Sequence, residues 1–501
     1  MPGLVSATTI QAVPSGVSSP LGAGFNLVNT LIGSGILALP YALKEAGFYP
    51  GIVVMVLVAA LIHCALNTLV LAGRRTGLYK YESVSEAALG RIGYHILGFA
   101  LSVNSIGSCI SYLIIIGDTA SSVAQTLFGI NVLTSRQVVI LAASLVFTLP
   151  LLFFRTLDPL VKPSAISTLC LPVIVLIVAI RGPAYAAPED PSGTPAAPAW
   201  WGPSFLPAFG VIAFAYSCTQ TCFQSYTTLR VKTMDAWRIS TTFATATAVV
   251  IYLTFSIISY RSFGVLTEPN VLNNFGPDDN LANVARALLA FSLTLTYPMQ
   301  FYPIRDLLAH SLLGLSPADD DNEEEEENSG SSLLSGPLQK VKFRVFTIAL
   351  FASTLVTALV IEDLGFVFKL IGTAASSLIV FVLPGVIYLV LVSPYSLWPP
   401  WSTKNAGINS NSNDNENGGD GPTLEQNAVS SDATIIVAAE ESTPLLSSSS
   451  SLTIDPTDPL NDAREIHEPL LSAVSVLLLA IGCAVFVIGT WDSVADYLQR
   501  R

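Results

Sequence analysis

"NLVNTLIGSGILALPYALKEAGF", residues 26–48, begins as an apolar helix and then interrupts itself with Gly33-Ser34-Gly35 and Pro40. In hydrocarbon every backbone N–H and C=O needs a partner, so an irregular turn is tolerated only where it lines a cavity or is buried in protein. Glycines two apart lie on opposite faces of a helix, whereas close helix packing uses small residues four apart on one face. The stretch therefore predicts an unwound turn. A break here exposes carbonyls at the end of its first half, near Leu31 and Ile32. It exposes N–H groups at the start of the second half, around Gly33, Ser34 and Gly35. The first place suits a cation and the second a carboxylate. Asn26 and Asn29, three apart on one face, add side-chain oxygens.

The rest of the chain supplies the hydrocarbon that this reading needs. Charged residues make up 12% of 501 and AVILMFWYC 51%, whereas a soluble protein carries roughly twice that charge. The apolar material falls into blocks of about 20 residues or more, the length that crosses a bilayer core. The expected fold is all-α, a polytopic membrane protein with about eleven spans. They lie near 22–45, 49–73, 94–126, 137–155, 160–181, 204–229, 239–262, 281–311, 342–361, 363–394 and 470–494. A tail (1–21) precedes a core of ten spans (22–394), which contains an acidic loop (312–340). A polar segment (395–469) and a final span with a short C-terminus (470–501) follow. The first nineteen residues have no basic n-region, so the first span is expected to direct insertion itself.

Lys and Arg concentrate in the loops that share a side with the N-terminus, including Arg74, Arg75, Lys80, Arg230, Lys232 and Lys340. That places the N-terminus in the cytosol and the C-terminus on the opposite side. Both polar segments then fall on the cytosolic side. They are rich in Ser, Asn, Gly and acid, too polar to order themselves, and account for much of the net charge of -13. That charge therefore carries no information about a substrate, and no nucleic-acid partner is indicated. All six cysteines lie within spans, and no Asn-x-Ser/Thr sequon occurs, so neither a loop disulfide nor N-glycosylation is expected. Cys218 and Cys222, four apart without an accompanying His or acid, read as small packing residues rather than a metal site. No Walker loop, HExxH or Gly-x-Ser-x-Gly is present, and four histidines are scattered over different segments. An enzyme is not expected, nor a cofactor.

Polar stripes on other spans agree with a binding role. Asn104, Ser108, Ser111 and Asp118 recur at helical spacing in the third span. An ionisable residue inside a span is a functional candidate, although Asp118 also fits an interfacial acid. The sixth span concentrates Ser217, Thr219, Gln220, Thr221 and Gln224, and the eighth holds Thr294, Thr296 and Gln300. Thr294 and Thr296 are two apart, so only one can face a given point. Thr296 is the one that shares a face with Gln300, against the alternative of a threonine bonding its own helix.

Four stretches in order, "FNLVNTLIGSGILALPYALKEAGFYPG", "SYLIIIGDT", "LTLTYPMQFYPIR" and "EDLGFVFKLIGTAASSLIVFVLPGVIYL", together resemble the amino acid/auxin permease family. The likeness is in particular to its branch of sodium-coupled neutral amino acid transporters and their vacuolar relatives. The resemblance implies eleven spans in an inverted five-plus-five repeat like the leucine-transporter fold, with substrate at broken first and sixth helices. It also implies cation-coupled alternating access, with Na+ or H+ as coupling ion. It assigns a cation role to Asn29 and to Thr294 or Thr296, making Asn29 and Thr296 the candidate Na+ ligands. Where relatives often carry His-His-Asn in the sixth helix this chain has Thr219-Gln220-Thr221, and Lys369 replaces a small residue. Lys369 is expected to snorkel or meet Glu362 and Asp363, or else to stand in for a coupling cation. The alternatives to transport are a membrane amino acid sensor using the same site without net flux, and a channel, which lacks any ring of charges. "ESTPLLSS" resembles an acidic dileucine sorting signal through Glu441, Leu445 and Leu446. It suggests a sorting adaptor as partner and a vacuolar or lysosomal membrane, with the plasma membrane as alternative.

Overall fold

Uninterrupted apolar runs build the long helices here, and glycine or proline marks most places where they end or bend. The computed structural model describes residues 16–129, 134–153, 158–185, 200–313, 335–393 and 464–500. Among the described residues the chain is helical apart from turns and one β-bridge between Ser18 and Leu229.

The first helix, α1 (Pro20–Leu31), starts where the Ser19 side chain accepts the Gly22 N–H and Pro20 needs no partner of its own. It stops at Leu31. Gly33 is extended (φ -108°, ψ -165°), and a 3-10 turn, Ser34–Ala38, leads into α2 (Leu39–Ala46). The two halves are bent by 56°. Next come α3 (Phe48–Thr76) and α4 (Tyr81–Phe128), the latter kinked at Gly90, whose φ of 67° is left-handed. Helix α5 (Arg136–Leu151) carries a π-turn at Ser144–Thr148 and is followed by α6 (Asp158–Arg181).

The sixth span breaks in the manner of the first. Helix α7 (Phe205–Ala215) and α8 (Cys222–Thr227) are separated by irregular backbone that contains a 3-10 turn at Thr219–Thr221. After α9 (Met234–Phe263), α10 (Asn280–Leu313) and α11 (Ser335–Val360) comes α12 (Leu364–Leu391), with π-turns at Ile371–Ser376 and Leu378–Val382. The last pair, α13 (Arg464–Ala484) and α14 (Thr490–Arg500), is joined through a π-turn, Val485–Gly489.

Seven described helices are long and apolar enough to cross a membrane, and eight if the bent α1–α2 pair is one span; two shorter apolar helices lie at Arg136–Leu151 and Leu169–Ala184. Several helices start earlier than the apolar blocks: α4 at Tyr81, α11 at Ser335 inside the expected loop 312–340, and α13 at Arg464 inside the expected segment 395–469. A helix does not stop at the hydrocarbon edge, because polar residues of fair helix propensity extend it into water. The acidic run and the Glu441, Leu445 and Leu446 motif lie outside the described residues.

Helix α10 lies along α4 and α6, α1 along α9, and α2 and the first π-turn of α12 both lie against α7. The last contact is backbone to backbone: a Cβ on Gly372 would stand 2.2 Å from the Gly210 oxygen. The opposite faces present bulky apolar side chains such as Phe147, Ile180, Val250, Phe291 and Val487 to the surroundings, as lipid contact requires.

Candidate functional site

The two broken helices point their carboxyl ends at one another. The hydroxyl of Tyr252, fully buried on α9, meets the carbonyl oxygen of Leu31, the last residue of α1, and that of Ala215, the last residue of α7, at 2.9 Å. Gly35 closes the same junction: a Cβ there would lie 2.8 Å from the Ala215 Cα. Gly33 differs, because a Cβ there would meet only the Thr30 oxygen, at 3.9 Å. The opening motif thus contains one glycine required by close approach and one that borders open space.

The predicted substrate residues lie on the two broken helices and in their breaks. Asn26 and Asn29 are exposed on α1, and Thr30 donates back to the Asn26 oxygen at 3.1 Å, loosening the last turn. Ser34 lies in the 3-10 turn, with its side chain outside the described set. In the second break the Ser217 Oγ is buried and has no partner among the described residues, as is the Tyr216 hydroxyl. The buried Thr219 hydroxyl donates to the Ile379 oxygen in a π-turn of α12 at 3.3 Å, and Gln220 is half-buried. Cys218 and Cys222 are buried and free, and among the described residues no group of three metal-ligating side chains occurs.

The predicted cation residues divide between the junction and other places. The Leu31 carbonyl is at the junction, with Ile32 beside it in the break. Thr296 donates to its own helix at Ser292 O (2.8 Å) and lies 2.7 Å from the Ser167 hydroxyl on α6, while Thr294 donates to Ala290 O at 2.8 Å. Thr296 is therefore the member of the pair that reaches another helix. Asp118 is held by Arg136 of α5, with Nε 2.6 Å from Oδ1. On α4, Ser108 and Ser111 bond back to the carbonyls of Asn104 and Gly107, while the Asn104 side chain accepts from Ser376 of α12 at 3.1 Å.

Lys369 corrects the sequence reading. It is only 2% exposed and its ammonium sits 2.7 Å from Glu45 (3% exposed) on α2 and 3.1 Å from Asp496 (29% exposed) on α14. Asp363, an expected partner, instead caps α12 by accepting the Phe366 N–H at 3.0 Å. The reason is depth: one turn into α12, the side chain points to the neighbouring helix ends rather than back along its own. The Tyr41 ring lies 5.6 Å away, and Phe366 stacks on Tyr497 at 4.0 Å. Glu45, Asp496, Arg136 and Tyr252 were missed by sequence reading. Glu45 stood in the opening stretch as an unpaired acid at a helix end; Tyr252 gave no signal, since an aromatic in an apolar helix reads as core.

A family model described as "Transmembrane amino acid transporter protein" matches residues 16–407, which include both breaks. The chain belongs to this family. Mouse "Putative sodium-coupled neutral amino acid transporter 11" is 31% identical over 379 residues, 75% of this chain and 79% of the relative. "Vacuolar amino acid transporter 2" of Saccharomyces cerevisiae is 28% identical over 388 residues, 75% of this chain and 77% of that protein. Rat "Sodium-coupled neutral amino acid transporter 7" is 27% identical over 383 residues, covering 74% and 79%. This family member is an integral membrane transporter and not an enzyme.

Proposed function

We propose that the protein is a secondary active transporter that moves neutral amino acids by cation-coupled alternating access. One observation carries this reading: two helices broken at mid-length bring their carboxyl ends to a single point. Such paired breaks supply backbone N–H groups for a substrate carboxylate and carbonyls for a cation or a substrate ammonium. Residues 31–38 and 215–221 include no Asp, Glu, His, Lys or Arg, which suits a substrate whose side chain is uncharged. Asn29, Gly33, Ser217 and Gln220 border the amino acid in this scheme.

Sodium is the favoured coupling ion because two of the relatives are named for it, with Leu31, Ile32, Asn29 and Thr296 as its surroundings; Asp118 would serve if the ion is a proton. The loop charges favour a cytosolic N-terminus. The yeast relative's name and the Glu441, Leu445 and Leu446 motif favour a vacuolar or lysosomal membrane. Counterflow of labelled amino acids in proteoliposomes tests the function. Exchange of a neutral amino acid above protein-free vesicles is the expected result, whereas saturable binding without exchange would make the protein a sensor and overturn transport.

A further inference from the structure

Two helix carboxyl ends, each about half an elementary charge negative, meet at one phenol. A tyrosine has one hydroxyl proton, so Tyr252 can donate to Leu31 O or to Ala215 O at any instant, and not to both. Its backbone lies outside the breaks: α9 is continuous from Met234 to Phe263 and Tyr252 is fully buried, while its ring packs edge-on to Tyr216 of the second break at 4.8 Å. Because α1 also lies along α9, the hydroxyl is a rigid reference to which both half-helix ends are fastened.

We propose that Tyr252 is a positioning residue that ties the two breaks into one unit. The shared proton keeps the Leu31 and Ala215 ends together, so a change at either break is passed to the other through the carbonyl that receives it. This inference rests on the reading of the breaks as the transport site only for its consequence, coupling; the tie itself is a property of the fold.

The test uses the full chain, purified in nanodiscs, with amide hydrogen exchange followed in the segments 32–38 and 216–221. Tyr252→Phe should raise exchange in both segments together, by about tenfold for one lost buried hydrogen bond. Tyr216→Phe removes a hydroxyl with no partner among the described residues from the same aromatic pair and should leave both near wild type. No rise in Tyr252→Phe, a rise in one segment alone, or an equal rise in Tyr216→Phe would overturn the tie. If Tyr252→Phe does not fold, 3-fluorotyrosine at position 252 keeps the hydroxyl and strengthens it as a donor; it should slow exchange in both segments, and unchanged exchange would overturn the proposal. Uptake in proteoliposomes gives the coupling readout: Tyr252→Phe should shift the half-activating sodium concentration by more than the amino acid KM. An equal shift in both would reduce Tyr252 to packing. Failure of wild-type uptake, with exchange responding as expected, would remove the transport reading and leave the tie standing.

Discussion

The junction of the breaks and the Lys369 cluster solve opposite problems with opposite materials. At the junction no formal charge is present, and two backbone carbonyls share one phenol proton. At the cluster three formal charges are packed where little water reaches, with Lys369 and Glu45 almost fully covered. A buried ion pair with well-placed partners is a finished structure: it holds helix ends together and has little left to offer a ligand. An under-supplied set of oxygens can accept something. In this chain the full charges join helix ends, and the breaks that the proposed function uses for binding carry none.

The largest effect that would sharpen this contrast is in the cluster. Lys369→Met leaves the Glu45 carboxylate covered and without its ammonium, which should destabilise the fold by about 3–5 kcal/mol. Thermal unfolding in detergent measures it, and adding Glu45→Gln should restore most of the loss. An unchanged melting temperature in Lys369→Met would mean that water reaches the pair. Glycine substitution at the junction ranks next. Gly35→Ala places a Cβ against the Ala215 backbone and should cost about 1–3 kcal/mol through overpacking. Equal stability of Gly35→Ala and Gly33→Ala would contradict the packing described here.

A functional difference should separate the two threonines of α10. Thr296→Ala removes the contact to Ser167 and should weaken the sodium response of uptake more than Thr294→Ala, whose hydroxyl serves only its own helix among the bonds described. Reversal of that order would move the cation site. The smallest effect lies beyond the membrane part, at Asp279. Burial acts to raise its carboxyl, but bonds from Arg181, the Ala282 N–H and Tyr185 outweigh burial and hold it below the usual carboxylate range. A carboxyl depressed on folding contributes stability that is fully present above its unfolded pKa of about 3.9 and is lost as pH falls through the lower folded value. The contribution of this group to thermal stability should thus be full and constant at neutral and mildly acidic pH, and Asp279→Asn should flatten the acid limb below that range.

Much of the fold was legible because hydrocarbon imposes a coarse rule, uninterrupted apolar blocks, and because Gly33-Ser34-Gly35 violates that rule conspicuously. The family motifs carried the second break, which composition would have passed as one span. What could not be read were partners distant in sequence. Asp118 and Lys369 stood out as ionisable residues inside spans, yet their counterions, Arg136 for one and Glu45 and Asp496 for the other, lie on other helices. Thr296 shows the same limit: helical spacing placed it on a face, while its meeting with Ser167 depends on how α6 crosses α10.

The central claim, that the space at the first break receives the amino acid, is tested most directly at Gly33. Its backbone is extended and a Cβ there meets nothing closer than 3.9 Å, so Gly33→Val adds volume to the site without forcing the fold to move. Equilibrium binding of a labelled neutral amino acid to purified protein, read beside thermal unfolding, should show binding lost at an unchanged melting temperature. Binding of wild-type affinity in Gly33→Val would contradict the account.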